Sequence, residues 1–325
     1  MVIVICDEAG VPFRQTDDWD GSLAYGEDEN DFEITRLSGP ALRPGMRWQV
    51  DGTPYAGVVD TVCPAVDEDG ATTVSYKGRT AQGVLAGKVV EPPAGSAHRT
   101  ASGDLNECVA ALVGLVGLSG YLSVPSEPCG IEVSGFSYRR YVNAWDGLRM
   151  LCDSVGARPR LTCGNDGLVL DAVASDTYGD MPSELVSFAA ERTYRPCNHM
   201  VGLGEGEGTA RLVSHWYADA NGALSQKQTL FGVEEVAETT DLSSESDELS
   251  AKTRERLAER QGQGTFEADV PEEAGLDVGD VITATDAVTG LSLVAEVTKV
   301  TVEVEMGVAT VSYETGTPQW PDEED

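Results

Sequence analysis

The residues best suited to acid–base or metal chemistry are few in this sequence. The histidines are His98, His199 and His215. No two of them show the His-Glu-x-x-His spacing that binds zinc from one helix face. The cysteines form no Cys-x-x-Cys pair, which excludes a zinc ribbon and a thioredoxin-type redox site. The sequence therefore predicts no metal site and no cofactor-binding residues.

One tripeptide, Cys197-Asn198-His199, contains the residue types of a cysteine-protease site. Adjacent residues of an extended chain point to opposite faces, however, and such sites assemble from distant parts of a sequence. A serine hydrolase is not supported either, because no Gly-x-Ser-x-Gly string is present. With 55 Asp and Glu residues, a carboxylate pair for glycoside hydrolysis stays open, although no arrangement singles one out. We predict that the protein is not an enzyme and assign no catalytic residue.

The most glycine-rich string is Gly202-Leu203-Gly204-Glu205-Gly206-Glu207-Gly208. It departs from the dinucleotide-binding fingerprint, because Glu207 stands where the third glycine is needed and a strand pattern follows it. A tight β-turn or bulge is the preferred interpretation. The acidic groups at 27–29 and 67–70 lack the spacing of an EF-hand loop, and we interpret them as solvated loops.

The charge balance limits the possible partners. The chain has 325 residues, with 22 Lys and Arg against 55 Asp and Glu, a net charge of −33. Such a surface repels phosphate backbones and anionic lipid, so no sequence-specific nucleic-acid binding is expected. No apolar run approaches the roughly 18 residues of a membrane span, so no membrane insertion is expected. The start of the chain lacks the basic region of a signal peptide.

Seven widely spaced cysteines are an odd number for a disulfide framework. They are Cys6, Cys63, Cys108, Cys129, Cys152, Cys163 and Cys197. Cys108 and Cys152 fall on apolar stripes of helical period, which predicts that both are buried as small hydrophobic residues. All seven are expected to be reduced and non-catalytic, as in a protein that folds in a cytoplasm.

The strand and turn patterns divide the chain. Residues 1–90 show short alternating strands separated by turns, which indicates a first β-barrel. The string Glu91-Pro92-Pro93-Ala94-Gly95-Ser96 is the best linker in the sequence. Residues 185–316 are β-rich again and predict a second barrel, interrupted by a charged helix at 244–261 with few apolar positions. Residues 317–325 are expected to form a loose acidic tail.

Residues 100–180 predict a small α+β domain between the barrels. Asp104 and Asn143 each precede an apolar stripe of period 3.6 and are expected to cap two helices. Gly156 stands where a glycine ends the second helix. A β-hairpin is predicted over 158–173, with its turn at 164–167. The fold class is therefore α+β and mainly β, with two β-barrel domains and an intervening α+β domain.

Several strings in order along the chain resemble the tail-hub, or baseplate-hub-like, proteins of long noncontractile-tailed phages and prophages. The resemblance rests on a helix, a glycine and a strand, then a strand entering a Gly/Glu turn, and then a Val-Gly-Asp turn before a strand. These strings lie at 143–161, Asn198-His199-Met200-Val201-Gly202, 241–244, Val278-Gly279-Asp280 and Tyr313-Glu314-Thr315-Gly316. Together they span about residues 100–316, and residues 32–34 resemble the family's N-terminal barrel more loosely.

The resemblance implies a structural protein of the virion tail, folded and assembled in the cytoplasm of the bacterial host. It implies a homotrimer whose six barrels form a hub ring at the tail tip. This ring would join the tail tube to the tip or baseplate, beside the distal tail, tape-measure and tail-tip proteins. No lysin module is expected, because the sequence ends just past the second barrel. The alternatives left open are a hub or spike component of a contractile injection system and a carboxylate-based hydrolase.

A trimer of this chain would carry a charge of −99, three times −33. Repulsion should therefore oppose assembly at low ionic strength and weaken as salt shortens the Debye length. The contact surface is expected to come from the least acidic strands, for example 294–302.

Overall fold

The computed structural model describes residues 1–164, 167–179, 186–192, 197–242, 244, 246–261, 264–269, 274–286 and 288–320. The chain is mainly β and folds as two compact units. The first unit contains residues 1–187 and 269–316, and the second contains residues 188–268. In the described part of the chain, no helix combines the length and the apolar character needed to cross a membrane.

The first unit contains most of the strands and three of the helices. Its helices are α1 (Ala81–Ala86), α2 (Leu105–Leu115) and α3 (Ala144–Asp153). Its strands are β1 (Ile3–Cys6), β2 (Pro12–Thr16), β3 (Trp19–Gly26), β4 (Asp31–Leu37), β5 (Arg47–Gln49), β6 (Ala56–Val66), β7 (Thr72–Thr80), β8 (Thr100–Asp104), β9 (Leu122–Ser123), β10 (Glu132–Ser137), β11 (Ala157–Gly164), β12 (Gly167–Ala174), β13 (Thr177–Tyr178), β20 (Val281–Thr285), β21 (Ser292–Glu305) and β22 (Val308–Thr315).

One sheet contains strands from both ends of the chain. Its order is β13-β20-β21-β3-β4-β7-β6-β5-β1-β2, with β22 also paired to β21. The join is antiparallel between β21 and β3, where Lys299 lies opposite Gly26 and Val304 opposite Gly21. The prediction that residues 1–90 and 185–316 form separate barrels is therefore wrong. Hydrophobic alternation identified these strands but carries no information on which strand pairs with which.

Closed barrels are not confirmed. Over the described strands, the pairing order runs from β13 to β2 without a pairing between those two ends. Strand β21 is central to this sheet, because it pairs with three strands. These are β20, β3 and β22, and all three pairings are antiparallel. Its inward residues Val297, Val300 and Val302 are buried in this sheet. The expectation that 294–302 provides a trimer contact is therefore wrong for these side chains.

The helices of the α+β segment begin where the sequence predicts. The carboxylate of Asp104 accepts a hydrogen bond from the backbone N–H of Asn106 at 2.9 Å and caps α2. Asn143 caps α3, since its Oδ1 accepts from the N–H of Asp146 at 2.9 Å. Gly156, just after α3, has φ +66°, a left-handed conformation that suits glycine.

The core of this segment is shared with the N-terminal part of the chain, through helix α1 and through Ala56 of β6. One cluster combines Val84 and Leu85 from α1 with Leu112 from α2 and Leu148 from α3.

The predicted hairpin is confirmed as β11 and β12, whose antiparallel register runs from Ala157 opposite Ala174 to Gly164 opposite Gly167. The turn residues 165–166 lie outside the described residues.

The second unit is a smaller sheet with one helix. Its helix α4 is Ser246–Glu259, within the predicted 244–261, and its described strands are β14 (Ser187–Arg192), β15 (His199–Leu203), β16 (Val213–Ala218), β17 (Leu224–Ser225), β18 (Ala237–Asp241) and β19 (Gly264–Asp269). Four of them form a sheet in the order β17-β16-β15-β18, and β14 pairs with β19. The helix packs on β15 and β16.

Helix α4 packs on the sheet with a few apolar residues, and its charged residues include an ion pair between exposed side chains. Leu249 and Leu257, its predicted apolar positions, are both buried, and Lys252 pairs with Glu248 at 2.9 Å. The predicted glycine after the helix, Gly262, and the last residues of the acidic tail, 321–325, lie outside the described residues.

Trp145 ties helix α3 to the central sheet. Its indole Nε1–H donates to the carbonyl oxygen of Gly26 at 2.9 Å, and its side chain is buried. Gly26 has φ +149°, and a Cβ there would lie 2.2 Å from the Thr298 carbonyl oxygen, so only glycine fits.

We expect Trp145→Phe to lower the free energy of unfolding by about 1–3 kcal/mol, because a buried hydrogen bond is lost and the smaller ring leaves a void. Trp216→Phe is the matched control. Its indole bonds to Ser250 at 3.1 Å on a half-buried side chain, where water can replace the bond. Urea unfolding should show the larger loss at Trp145, and equal losses would contradict this role.

Candidate functional site

The structure brings two of the three histidines together. Nε2 of His199 on β15 lies 2.9 Å from Nδ1 of His215 on β16. Nδ1 of His199 lies 2.6 Å from Oε1 of Glu235, and the His199 ring stacks on Tyr217 with centroids 4.4 Å apart. His98 is in the first unit, where its Nδ1 lies 3.2 Å from the Tyr138 carbonyl oxygen. Sequence reasoning missed the pair, because cross-strand neighbours follow from pairing and not from spacing.

This row of rings strengthens the β15–β16 pairing. A carboxylate only accepts, so Nδ1 of His199 donates to Glu235, and the donor in the contact between Nε2 of His199 and Nδ1 of His215 depends on the tautomers of the two rings. His215 itself is exposed. Across the described residues, no group of three or more His, Cys, Asp or Glu side chains could hold a metal ion. The arrangement is therefore a cross-strand polar and aromatic contact, of the kind worth a fraction of a kcal/mol.

Cys197, Asn198 and His199 each make hydrogen bonds within the second unit. The thiol of Cys197 is buried and donates to the backbone carbonyl of His199 at 3.5 Å, away from the imidazole. Asn198 is occupied structurally, because its Nδ2 donates to the Glu234 carbonyl at 2.7 Å and its Oδ1 accepts from the Val236 N–H at 3.0 Å. Burial raises the pKa of the Cys197 thiol. A neutral, buried thiol is a poor nucleophile.

The glycine-rich string allows close packing. A Cβ on Gly202 would lie 1.9 Å from Oγ1 of Thr253 in α4, and one on Gly204 would lie 2.6 Å from the Ser244 carbonyl oxygen. Gly206 has φ +102° in the turn after β15. The string forms the connection from β15 to β16, which contains bends and a 3₁₀ turn at Gly208–Ala210 in place of a tight β-turn. Its first two glycines let the helix contact the sheet backbone.

The acidic groups serve turns and surface pairs. Oδ1 of Asp67 accepts from the N–H groups of Asp69 at 3.0 Å and Ala71 at 2.8 Å, which closes the loop between β6 and β7. Glu29 pairs with Lys299 at 3.0 Å. These contacts agree with the interpretation as solvated loops.

The cysteines are free thiols. Cys108 and Cys152 are buried, as their helical positions predict. Burial raises the pKa of both thiols, and burial likewise raises the pKa of Cys163 to about 12. Thiols in such surroundings stay protonated and inert at neutral pH.

The most enclosed group of charges surrounds Arg158, in strand β11. Its Nε donates to Oδ1 of Asp280 at 2.5 Å, and Asp280 is completely buried. The same carboxylate accepts from the backbone N–H groups of Asp176 and Asp277, each at 2.8 Å. Gly279 has φ +96°, and a Cβ there would lie 2.8 Å from Cβ of Arg158. The Val278-Gly279-Asp280 string is therefore shaped to receive this arginine.

Asp277 is the member of this group whose carboxyl has a raised pKa. It lies 3.7 Å from the Arg158 guanidinium and hydrogen-bonds the buried hydroxyl of Tyr25. Burial raises the pKa of the Asp277 carboxyl to about 6, although the arginine opposes the shift. Burial also raises the pKa of Tyr25 well above its usual value. Because Asp280 is fully enclosed, its ion pair with Arg158 holds strand β11 to the segment that precedes β20.

No family model and no curated protein matches the chain. It is similar to solved tail proteins. The 43 kDa tail protein of prophage MuSo2 from Shewanella oneidensis is 13% identical with a TM-score of 0.49, over 97% of this chain and 96% of that one. The tail protein from Neisseria meningitidis MC58 is 14% identical with a TM-score of 0.45, over 97% and 95%. A prophage tail protein from Listeria monocytogenes EGD-e is 13% identical with a TM-score of 0.44, over 100% and 96%.

These neighbours are tail proteins by name. With identities of 13–14% and TM-scores below 0.5, they give no residue correspondence. The roles of individual residues therefore rest on the contacts of this chain.

Gly202→Ala should destabilise the protein by about 1–3 kcal/mol, because the added methyl group overlaps the Thr253 hydroxyl. Removing that hydroxyl and its methyl group with Thr253→Ala should recover part of the loss in the double variant. A double-mutant cycle by urea unfolding measures this coupling. Strictly additive losses would contradict a direct contact between Gly202 and Thr253.

The raised pKa of Asp277 predicts a pH-dependent stability. Between its usual value of 3.8 and about 6, the folded state keeps a proton that the unfolded chain has released. The free energy of unfolding should therefore fall as pH rises through this window. About two pH units at about 1.4 kcal/mol each give a loss of at most about 3 kcal/mol.

Asp277→Asn should remove this fall and be more stable than the unchanged protein above pH 6. Asp176→Asn is the matched control, since Asp176 also lies near Arg158, at 3.6 Å, but its side chain is 77% exposed. Unfolding curves at pH 4–8 test the pair. Parallel profiles for Asp277→Asn and the unchanged protein would contradict the assignment.

Proposed function

We propose that the chain is a structural protein of a phage or prophage tail and forms the hub ring at the tail tip. In this role it joins the tail tube to the tip or baseplate as a homotrimer. Its neighbours are the distal tail, tape-measure and tail-tip proteins. It folds and assembles in the bacterial cytoplasm and ends up in the virion tail.

The observation that carries the proposal is the contact between two of the strings that resemble tail hubs. Arg158 follows the helix-glycine string, and Asp280 ends the Val278-Gly279-Asp280 string, 122 residues later. The two strings meet through a buried, charge-assisted hydrogen bond, and Gly279 is required for it. Two family-like strings that contact each other directly in the folded protein support a resemblance of fold more strongly than two strings matched separately.

The contacts made by Cys197 and His199 favour a structural role for these residues over a role in hydrolysis. Cys197 donates to a backbone carbonyl, and His199 bonds to Glu235 and His215. The glycine-rich string receives α4 through Gly202 and Gly204. Both the Cys197-Asn198-His199 string and the glycine-rich string are therefore accounted for by hydrogen bonding and packing in the fold.

The test uses particles of the phage or prophage that carries this chain. A peptide tag appended after Asp325, detected with gold-labelled antibody by electron microscopy, should mark the tail end distant from the head. Untagged particles are the control. Label along the tube, label on the head, or particles without the protein would contradict a hub at the tip. Hydrolysis of peptidoglycan by the purified chain would favour the enzyme instead.

A further inference from the structure

The turn between β21 and β22 presents an exposed methionine in a strained backbone conformation. Met306 has φ 49° and Gly307 has φ 74°, so both central residues of this two-residue turn are left-handed. Asn-Gly is the favoured pair in such turns, because asparagine tolerates positive φ better than methionine does. Met306 is 82% exposed, so burial in this chain does not offset the strain.

The turn is held rigidly in this conformation. The Met306 N–H donates to Oδ1 of Asp20 at 2.6 Å, and the Gly307 N–H donates to the Trp19 carbonyl at 3.3 Å. The N-terminal amine of Met1 donates to the Gly307 carbonyl. A strained residue that its surroundings fix in place is a recurring feature of binding sites.

Two further exposed apolar residues lie beside this turn along the backbone. Val308, directly after it, is 69% exposed, and Val2, next to the amine that contacts Gly307, is 48% exposed. Neighbouring exposed apolar groups mark interaction sites in soluble proteins. Methionine suits such a site, because its unbranched thioether adapts to an irregular pocket. We call Val2, Met306 and Val308 the apolar tip.

The charges around the apolar tip identify the kind of partner. Exposed carboxylates border it, namely those of Asp17, Asp18, Glu303 and Glu305. Together with Asp20 they outnumber the two nearby cations, which are the Met1 amine and the Arg36 guanidinium that pairs with Asp18 and Asp20. A second copy that met the tip with its own tip would bring these carboxylates together, at a cost in repulsion. A different protein, with an apolar pocket bordered by Lys or Arg, fits both the side chains and the charge.

We propose that the apolar tip inserts into such a pocket on another protein of the tail. This inference rests on the proposed function and makes it specific to one surface. Met306 is the central contact, and the basic border of the pocket pairs with the surrounding carboxylates. The rigid turn limits the conformational entropy lost on binding.

The probe is the tail protein that cross-links to the apolar tip in intact virions, identified by mass spectrometry and purified. Met306→Asn removes the thioether and relieves the backbone strain, so the variant should fold at least as stably as the unchanged chain. We expect it to bind the probe at least tenfold more weakly by calorimetry. Raising the salt concentration should weaken binding of the unchanged chain.

Val288→Asn is the matched control, because Val288 is 92% exposed in another turn of the first unit. It should change the affinity less than twofold. Unchanged affinity of Met306→Asn would overturn the apolar tip and leave the tail function standing. A homo-oligomer that Met306→Asn dissociates in sedimentation would show that a second copy is the occupant. Virions that lack this chain would overturn both the tail function and the inference.

Discussion

The buried ion pair of Arg158 and Asp280 is the constraint on which the first unit depends. Two charges removed from water are stable only if each finds its partners, since an unpaired buried charge costs several kcal/mol. Asp280 meets this condition with Arg158 and the backbone N–H groups of Asp176 and Asp277. Three distant segments, carrying residues 158, 176 and 277–280, must therefore come together correctly or leave a charge unpaired.

The same long-range dependence governs the main sheet. Strand β3 finds a partner in β21 only after nearly 300 residues have been made, and the Met1 amine then meets Gly307. Contacts so distant in sequence form slowly, because the chain must close long loops before they stabilise it. The N-terminal strands alone would leave the β3 edge open, and exposed edges favour aggregation. Completion of the sheet by β21 removes that edge.

Local features, including the β11–β12 hairpin, were predictable from the sequence, and pairings between strands distant in sequence were not. Asp104 and Asn143 cap helices because capping depends on neighbouring residues, and Leu249 and Leu257 face inward because helical period determines faces. The β21–β3 partnership, by contrast, depends on a choice among many similar strands. The Asp280 site was partly visible as Val278-Gly279-Asp280, yet nothing nearby in sequence indicates Arg158 as its partner. The His199–His215 contact was hidden for the same reason.

The ion pairs of the structure neutralise only part of the acidic surface. Surface pairs such as Lys77–Glu33, at 2.9 Å, offset a few carboxylates and contribute little to stability. Most of the 55 acidic residues cannot be paired by 22 basic ones. A uniformly acidic surface disfavours contacts with identical copies and with polyanions, while it accelerates encounters with basic proteins. Specific assembly on such a background needs contacts that outweigh the repulsion at short range, and apolar groups held at fixed positions provide contacts that do not depend on charge.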